Sequence, residues 1–186
     1  MAARAWVGLV RAVNVGGTGK LPMAELAAAC RAAGLTEVKT YLASGNVVFV
    51  GTGTEAEIVA ALEAKLSQRM GRPVAVMLRT ADELSDALQR NPFADREPSR
   101  TLVFFLPKAL VANDLAATGQ KDEEIAAGGR EIFVYYARGV GDSRLRIRAA
   151  ETGTARNLNT VRKLETMARA VEALRGTDAT AGRLRG

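Results

Sequence analysis

Two stretches of the chain bring together groups able to hold an anion. The first is Asn14-Val15-Gly16-Gly17-Thr18-Gly19-Lys20, a glycine-rich loop that joins an apolar run to Pro22. Such a loop can turn backbone N–H groups toward a phosphate or carboxylate, and Lys20 adds a cation that a simple turn does not need. The second is Arg156-Asn157-Leu158-Asn159-Thr160, followed by Lys163. Its polar side chains are predicted to cluster at the beginning of a helix, where unpaired N–H groups and the helix dipole favour negative charge. Arg156 could add a two-pronged contact and Lys163 a second cation. Each stretch also has a plainer reading: glycines needed for positive φ angles in the loop, and Thr154, Asn157 or Asn159 acting as helix caps. The loop is not a Walker motif, which needs a glycine where Asn14 stands and a Ser or Thr where Leu21 stands.

The residue inventory excludes much chemistry. There is no histidine, so neither a Ser-His-Asp triad nor a histidine-based zinc site can be built within one chain. Acid–base work would fall to carboxylate, Lys, Tyr or water. Cys30 is the only cysteine. It lies on the apolar stripe of a predicted helix and reads as core. Asp122-Glu123-Glu124 reads as solvated loop, Ser44 has no imidazole partner, and no metal site or cofactor is expected. Gly139-Val140-Gly141-Asp142-Ser143-Arg144 fails as a dinucleotide loop because Arg144 occupies the third-glycine position.

Charge is uneven along the chain. Residues 1–129 carry 14 Lys/Arg and 14 Asp/Glu, whereas residues 130–186 carry 12 and 6, so the whole excess of +6 lies in the last third. A localised positive field favours a nucleotide or nucleic acid as partner. Arg144, Arg146 and Arg148 form a basic patch, with Arg144 and Arg148 on one face if the segment is helical. Aromatic residues are only 5% of the chain, which leaves few stacking surfaces for a single strand. No stretch approaches the ~18 apolar residues of a membrane span. The apolar N-terminal run from Ala5 to Val10 is broken by Arg11 before a signal-peptide core could form. A cytoplasmic protein without membrane contact is expected.

The elements that must position these residues follow from periodicity. A strand over residues 5–14 precedes a helix opened by Pro22, with Met23, Leu26, Ala27 and Cys30 at helical spacing and Gly34 past its end. Two strands flank a turn at Ser44-Gly45-Asn46. A capping box, Thr54 with Glu57, starts a helix that stops at Gly71, and a strand over 73–78 follows. This order, βαββαβ, is a split βαβ unit of ferredoxin type. Thr80 with Glu83 opens a further helix ending before Asn91-Pro92. Beyond it are expected a strand over 101–106, a helix over 110–118, a weak strand near 124–129 and a central strand over 132–137. A short basic helix capped by Asp142 or Ser143 comes next, and then a long helix ending at Gly176. The predicted organisation is a ferredoxin-like half (1–90), a linker (91–100), a second α+β half (101–176) and a mobile tail (177–186).

Four segments together carry a resemblance: Arg11-Ala12-Val13-Asn14-Val15-Gly16-Gly17, Tyr41-Leu42-Ala43-Ser44-Gly45-Asn46-Val47-Val48-Phe49, Arg90-Asn91-Pro92-Phe93, and Thr154 to Leu164. In this order and spacing the chain resembles the bacterial family catalogued as domain of unknown function 1697, over about residues 5–170. Ala12 stands where the family is expected to carry glycine, and Leu158 where an aromatic is usual. The resemblance implies an α+β chain of two ferredoxin-like halves, the second irregular and ending in a long helix. It carries no activity and no catalytic residue.

The functional expectation is a binding protein for a phosphate-bearing or other anionic ligand. Arg156, Asn157, Asn159, Thr160 and Lys163 would supply contacts, joined by Asn14, Gly16, Gly17 and Lys20. One alternative is a histidine-free enzyme acting on a small anionic substrate in a cleft between the halves. Another is a structural dimerisation module whose polar segments only cap helices.

Overall fold

The computed structural model describes residues 2–14, 16, 19–111 and 115–183, with side chains described as far as residue 175. The chain divides into two compact units, one of residues 1–82 with 164–186 and the other of residues 83–163.

In the first unit, β1 (Arg4–Val10), α1 (Met23–Ala32), β2 (Thr36–Tyr41), β3 (Asn46–Gly51), α2 (Glu55–Met70) and β4 (Val76–Arg79) follow the expected βαββαβ order. The sheet order is β2-β3-β1-β4 with every pair antiparallel. β3 is buried throughout and β1 from Ala5 onward, as befits the two interior strands. Trp6, Leu26, Cys30, Phe49, Ile58, Leu62, Leu66 and Leu78 belong to one core on the helical side. Full burial of a Leu or Ile such as Ile58, Leu62 or Leu66 stabilises the fold by roughly 1.5–3 kcal/mol each. Cys30 is core, and burial pushes its thiol up to about 12.

Local chemistry sets the element ends. Thr54 and Glu57 form the reciprocal capping box, the Thr54 N–H donating to Glu57 Oε2 at 2.8 Å. α2 ends on Gly71 in the left-handed conformation. At the hairpin turn, Gly45 has φ +81°, and a Cβ there would lie 2.6 Å from Val13 Cγ2. Only glycine fits this position. Asn46 closes the same turn, donating from Nδ2 to the Tyr41 carbonyl and the Ser44 hydroxyl.

The second unit begins with most of α3 (Ala81–Arg90), followed by β5 (Thr101–Phe105), β6 (Ala117–Thr118), β7 (Glu123–Ala127), β8 (Glu131–Tyr136), β9 (Arg146–Ile147) and β10 (Thr154–Asn157). Its main sheet, β10-β5-β8-β7, is wholly antiparallel and repeats the strand order of the first: fourth, first, third, second. One face packs Leu106, Ile132, Val134, Tyr136 and Ile147 against irregular chain and the small β6–β9 ribbon. Arg90 ties α3 to the β7–β8 turn, donating to the Gly128 carbonyl at 2.7 Å and to Glu131 at 3.1 Å.

Several expectations are corrected. The helix expected over 110–118 is not present in its described part, where β6 forms instead; residues 112–114 lie outside the described residues. The basic helix after Ser143 is replaced by β9 and a 3₁₀ turn over Arg148–Thr152. Between the expected basic helix and the long helix, where no strand is expected, Thr154–Asn157 form β10. Within 91–100, the expected linker, Asn91 and Phe93 are buried while most of the remaining residues are exposed, and Pro98–Arg100 form a 3₁₀ turn. The last helix, α4 (Leu158–Arg183), runs through Gly176 into the expected tail. From Leu164 onward it belongs to the first unit.

Candidate functional site

The C-terminal segment does not form the cation cluster expected of it. Thr154 and Arg156 are strand residues, and alternation along β10 turns both to one buried face, each 7% exposed. Arg156 lies opposite Val103 of β5. Its Nη1 donates to the Thr154 hydroxyl at 2.7 Å and to the Ala155 carbonyl at 2.8 Å. Burial lowers its pKa to about 10, still cationic at neutral pH. The guanidinium is thus a strut inside the protein. Asn157 is spent as a cap, its Oδ1 accepting from the Thr160 N–H at 2.9 Å. Thr160 is buried, whereas Asn159 and Lys163 are exposed on α4. These five residues do not converge on one exposed spot.

The glycine-rich loop fares differently. Asn14 has φ +56° and is the clasp of the loop. Its Oδ1 accepts from the Leu21 N–H at 2.7 Å, while Nδ2 donates to the Leu21 and Ala43 carbonyls at 2.8 and 2.6 Å. The side chain joins the two ends of the loop and pins them to the β2–β3 turn, so Asn14 shapes the site and is not free to grip a ligand. A pocket of about 690 Å³ opens here, lined by Gly16, Gly19, Lys20, Met23 and Ala43 along with Asn14. Gly16, Gly19 and Lys20 are exposed, and Lys20 has no hydrogen-bond or ion-pair partner among the described residues. Gly17 lies outside the described residues. Pro22 caps α1 through its backbone, its carbonyl accepting from the Glu25 and Leu26 N–H groups, and no side chain caps the helix. The first N–H groups of a helix have no partner within it, and here they lie beside the pocket wall formed by Met23.

Part of the basic last third is held in ion pairs within each unit. Arg138 pairs with Asp122 at 2.8 Å, Arg130 with Glu83 at 3.4 Å and Arg175 with Glu37 at 3.5 Å. Arg169 pairs with Asp82, Glu165 and Glu172, which raise its pKa. Arg144, Arg146 and Arg148 stay exposed and without such partners among the described residues, but on irregular chain, a short strand and a 3₁₀ turn rather than on one helix face. The sequence reading missed Lys108. With Arg148 it lines a second pocket, of about 620 Å³, on the connection after β5. Only the fold brings together residues 40 positions apart, and no local signal marks Lys108. Among the described residues no group of three or more His, Cys, Asp or Glu could hold a metal ion, and no helix is long and apolar enough to cross a membrane.

Two antiparallel sheets of the same strand order, with helices packed on the first, define an α+β protein of ferredoxin-like units. The chain belongs to the family described as "Protein of unknown function (DUF1697)", which matches residues 3–133. That match includes the glycine-rich loop and the 90–93 segment but ends before Thr154. Among solved structures the chain is similar to one titled "The structure of conserved bacterial protein SP0830 from Streptococcus pneumoniae", at 24% identity and a TM-score of 0.71. The alignment covers 90% of this chain and 99% of that one. This likeness extends the shared fold beyond the family match. No curated protein matches the chain.

Proposed function

We propose that the protein binds a phosphate-bearing ligand, a nucleotide before a nucleic acid, in the first-unit pocket beside the glycine-rich loop. One observation carries the reading: Lys20, without a partner among the described residues, shares a 690 Å³ pocket with the side-chain-uncapped start of α1. A helix start and a cation together favour an anion, and Leu21, Pro22 and Met23 offer apolar surface to the body that bears it. Arg156, Asn157 and Thr160 are withdrawn from the ligand set because their side chains are buried or engaged. A cytoplasmic setting suits a chain whose single cysteine is a buried thiol.

Titration calorimetry with ADP and with inorganic phosphate tests the reading. Lys20→Gln is expected to weaken ADP binding about tenfold, equivalent to ~1.4 kcal/mol. Equal affinity in the variant and the parent would overturn the assignment. If a single strand binds instead, its affinity should fall steeply between 50 and 200 mM salt, as counterion release requires.

A further inference from the structure

The second unit carries its own pocket, with two cations in its lining. Lys108 and Arg148 both line the 620 Å³ cavity after β5, both are exposed, and neither has a hydrogen-bonded or ion-paired side-chain partner among the described residues. Leu106, Leu110 and Ala149, which also line it, belong to or pack on the second unit's core. Two cations over an apolar floor make an amphipathic receptor.

The place of this pocket in the topology adds a second argument. In each unit the connection leaving the first strand of the sheet runs beside the tip of the following hairpin. The Val10 N–H donates to the Gly45 carbonyl at 2.8 Å in one unit. In the other, Leu106 and Leu110 donate to the Arg130 and Gly129 carbonyls at 2.9 and 2.8 Å. Both pockets open on that connection. The first holds a single lysine and the second a lysine with an arginine.

We propose that the pocket after β5 is a second binding site, taking a phosphate monoester whose apolar body rests on Leu106 and Leu110 while Lys108 and Arg148 hold the anion. A phosphate monoester carries about −1.5 to −2 charge at pH 7, matching two cations, whereas a carboxylate of the same body satisfies only one. Arginine's planar fork suits two phosphate oxygens at once. The inference does not rest on the first-unit reading, since no residue is shared.

Phenyl phosphate, benzoate and inorganic phosphate are the probes, titrated against the full chain by calorimetry and followed by amide NMR shifts. Phenyl phosphate is expected to bind more tightly than the other two, with a set of shifts around Leu106 and Arg148 separate from any at the first-unit pocket. Lys108→Gln with Arg148→Gln should weaken it at least about tenfold. Arg144→Gln, exposed but outside the pocket, and Lys20→Gln should leave these shifts unchanged. Unaltered phenyl phosphate binding in the double variant overturns the proposal, as does benzoate binding equally well. Shifts that vanish in Lys20→Gln would also overturn it, while leaving the first-unit reading intact. Melting curves of the variants should match the parent, because both side chains lie at the surface.

Discussion

At the scale of single residues, the same side chain serves opposite ends according to which element carries it. Arg156 reads as an exposed anion ligand if its segment opens a helix, and as a buried strut once the segment is a strand. Ala12 is instructive in another way. It holds φ +51°, a conformation that costs a residue with a Cβ about 1–2 kcal/mol. The Arg72 guanidinium fixes this turn by donating to the Ala12 carbonyl at 2.7 Å. Family resemblance leads one to expect glycine at this position, and the backbone explains why. Ala12→Gly should relieve that strain, while the freer unfolded chain takes back ~0.4–1 kcal/mol. The net expectation is a gain of about 0.5–1 kcal/mol, read as a higher urea midpoint at unchanged slope. A lower midpoint would count against strain at this turn.

At the scale of elements, what the sequence made legible was whatever local chemistry encodes. The Thr54–Glu57 box, the stop at Gly71, the turn at Gly45 and the apolar stripe of α1 all announce themselves within a few residues. Thr54→Ala should cost about 1 kcal/mol through loss of the α2 cap. The Thr54 backbone N–H, and then its hydroxyl, hold the Glu57 carboxyl below its ordinary range. A depressed carboxylate contributes above its unfolded pKa and loses that contribution as pH falls through the folded value. The gap between parent and Thr54→Ala should therefore narrow below about pH 4.3, as denaturation curves across pH 3–7 would reveal. β10 was illegible for the opposite reason. Four residues, Thr-Ala-Arg-Asn, with one apolar side chain among them, show no alternation of apolar and polar types, and only pairing with β5 makes them a strand. The short β6 and β9 share that dependence on a distant partner. The glycine-rich loop stood out as a candidate by its glycines and Lys20, but the role of Asn14 as its clasp needed the Ala43 carbonyl, 29 positions away.

At the scale of the molecule, the division into units does not follow chain order. The first unit includes residues 164–186, and Leu164, Ala168 and Val171 of α4 are among the buried hydrophobics. A chain ended at Lys163 loses these side chains, of which Leu and Val alone are worth roughly 1.5–3 kcal/mol each. It should melt lower than the full protein and be cut faster by protease within residues 1–82; an unchanged melting temperature would show that α4 adds nothing to that unit. The order of manufacture then matters. A ribosome adding about 5–20 residues per second takes roughly 4–18 s to pass from Asp82 to Val171. During that interval the earliest-made half waits without its closing helix, and by its end the later-made half already has all of its own strands. Nascent chains stalled between Lys163 and Val171 would accordingly carry every residue of the second unit and an unfinished first one.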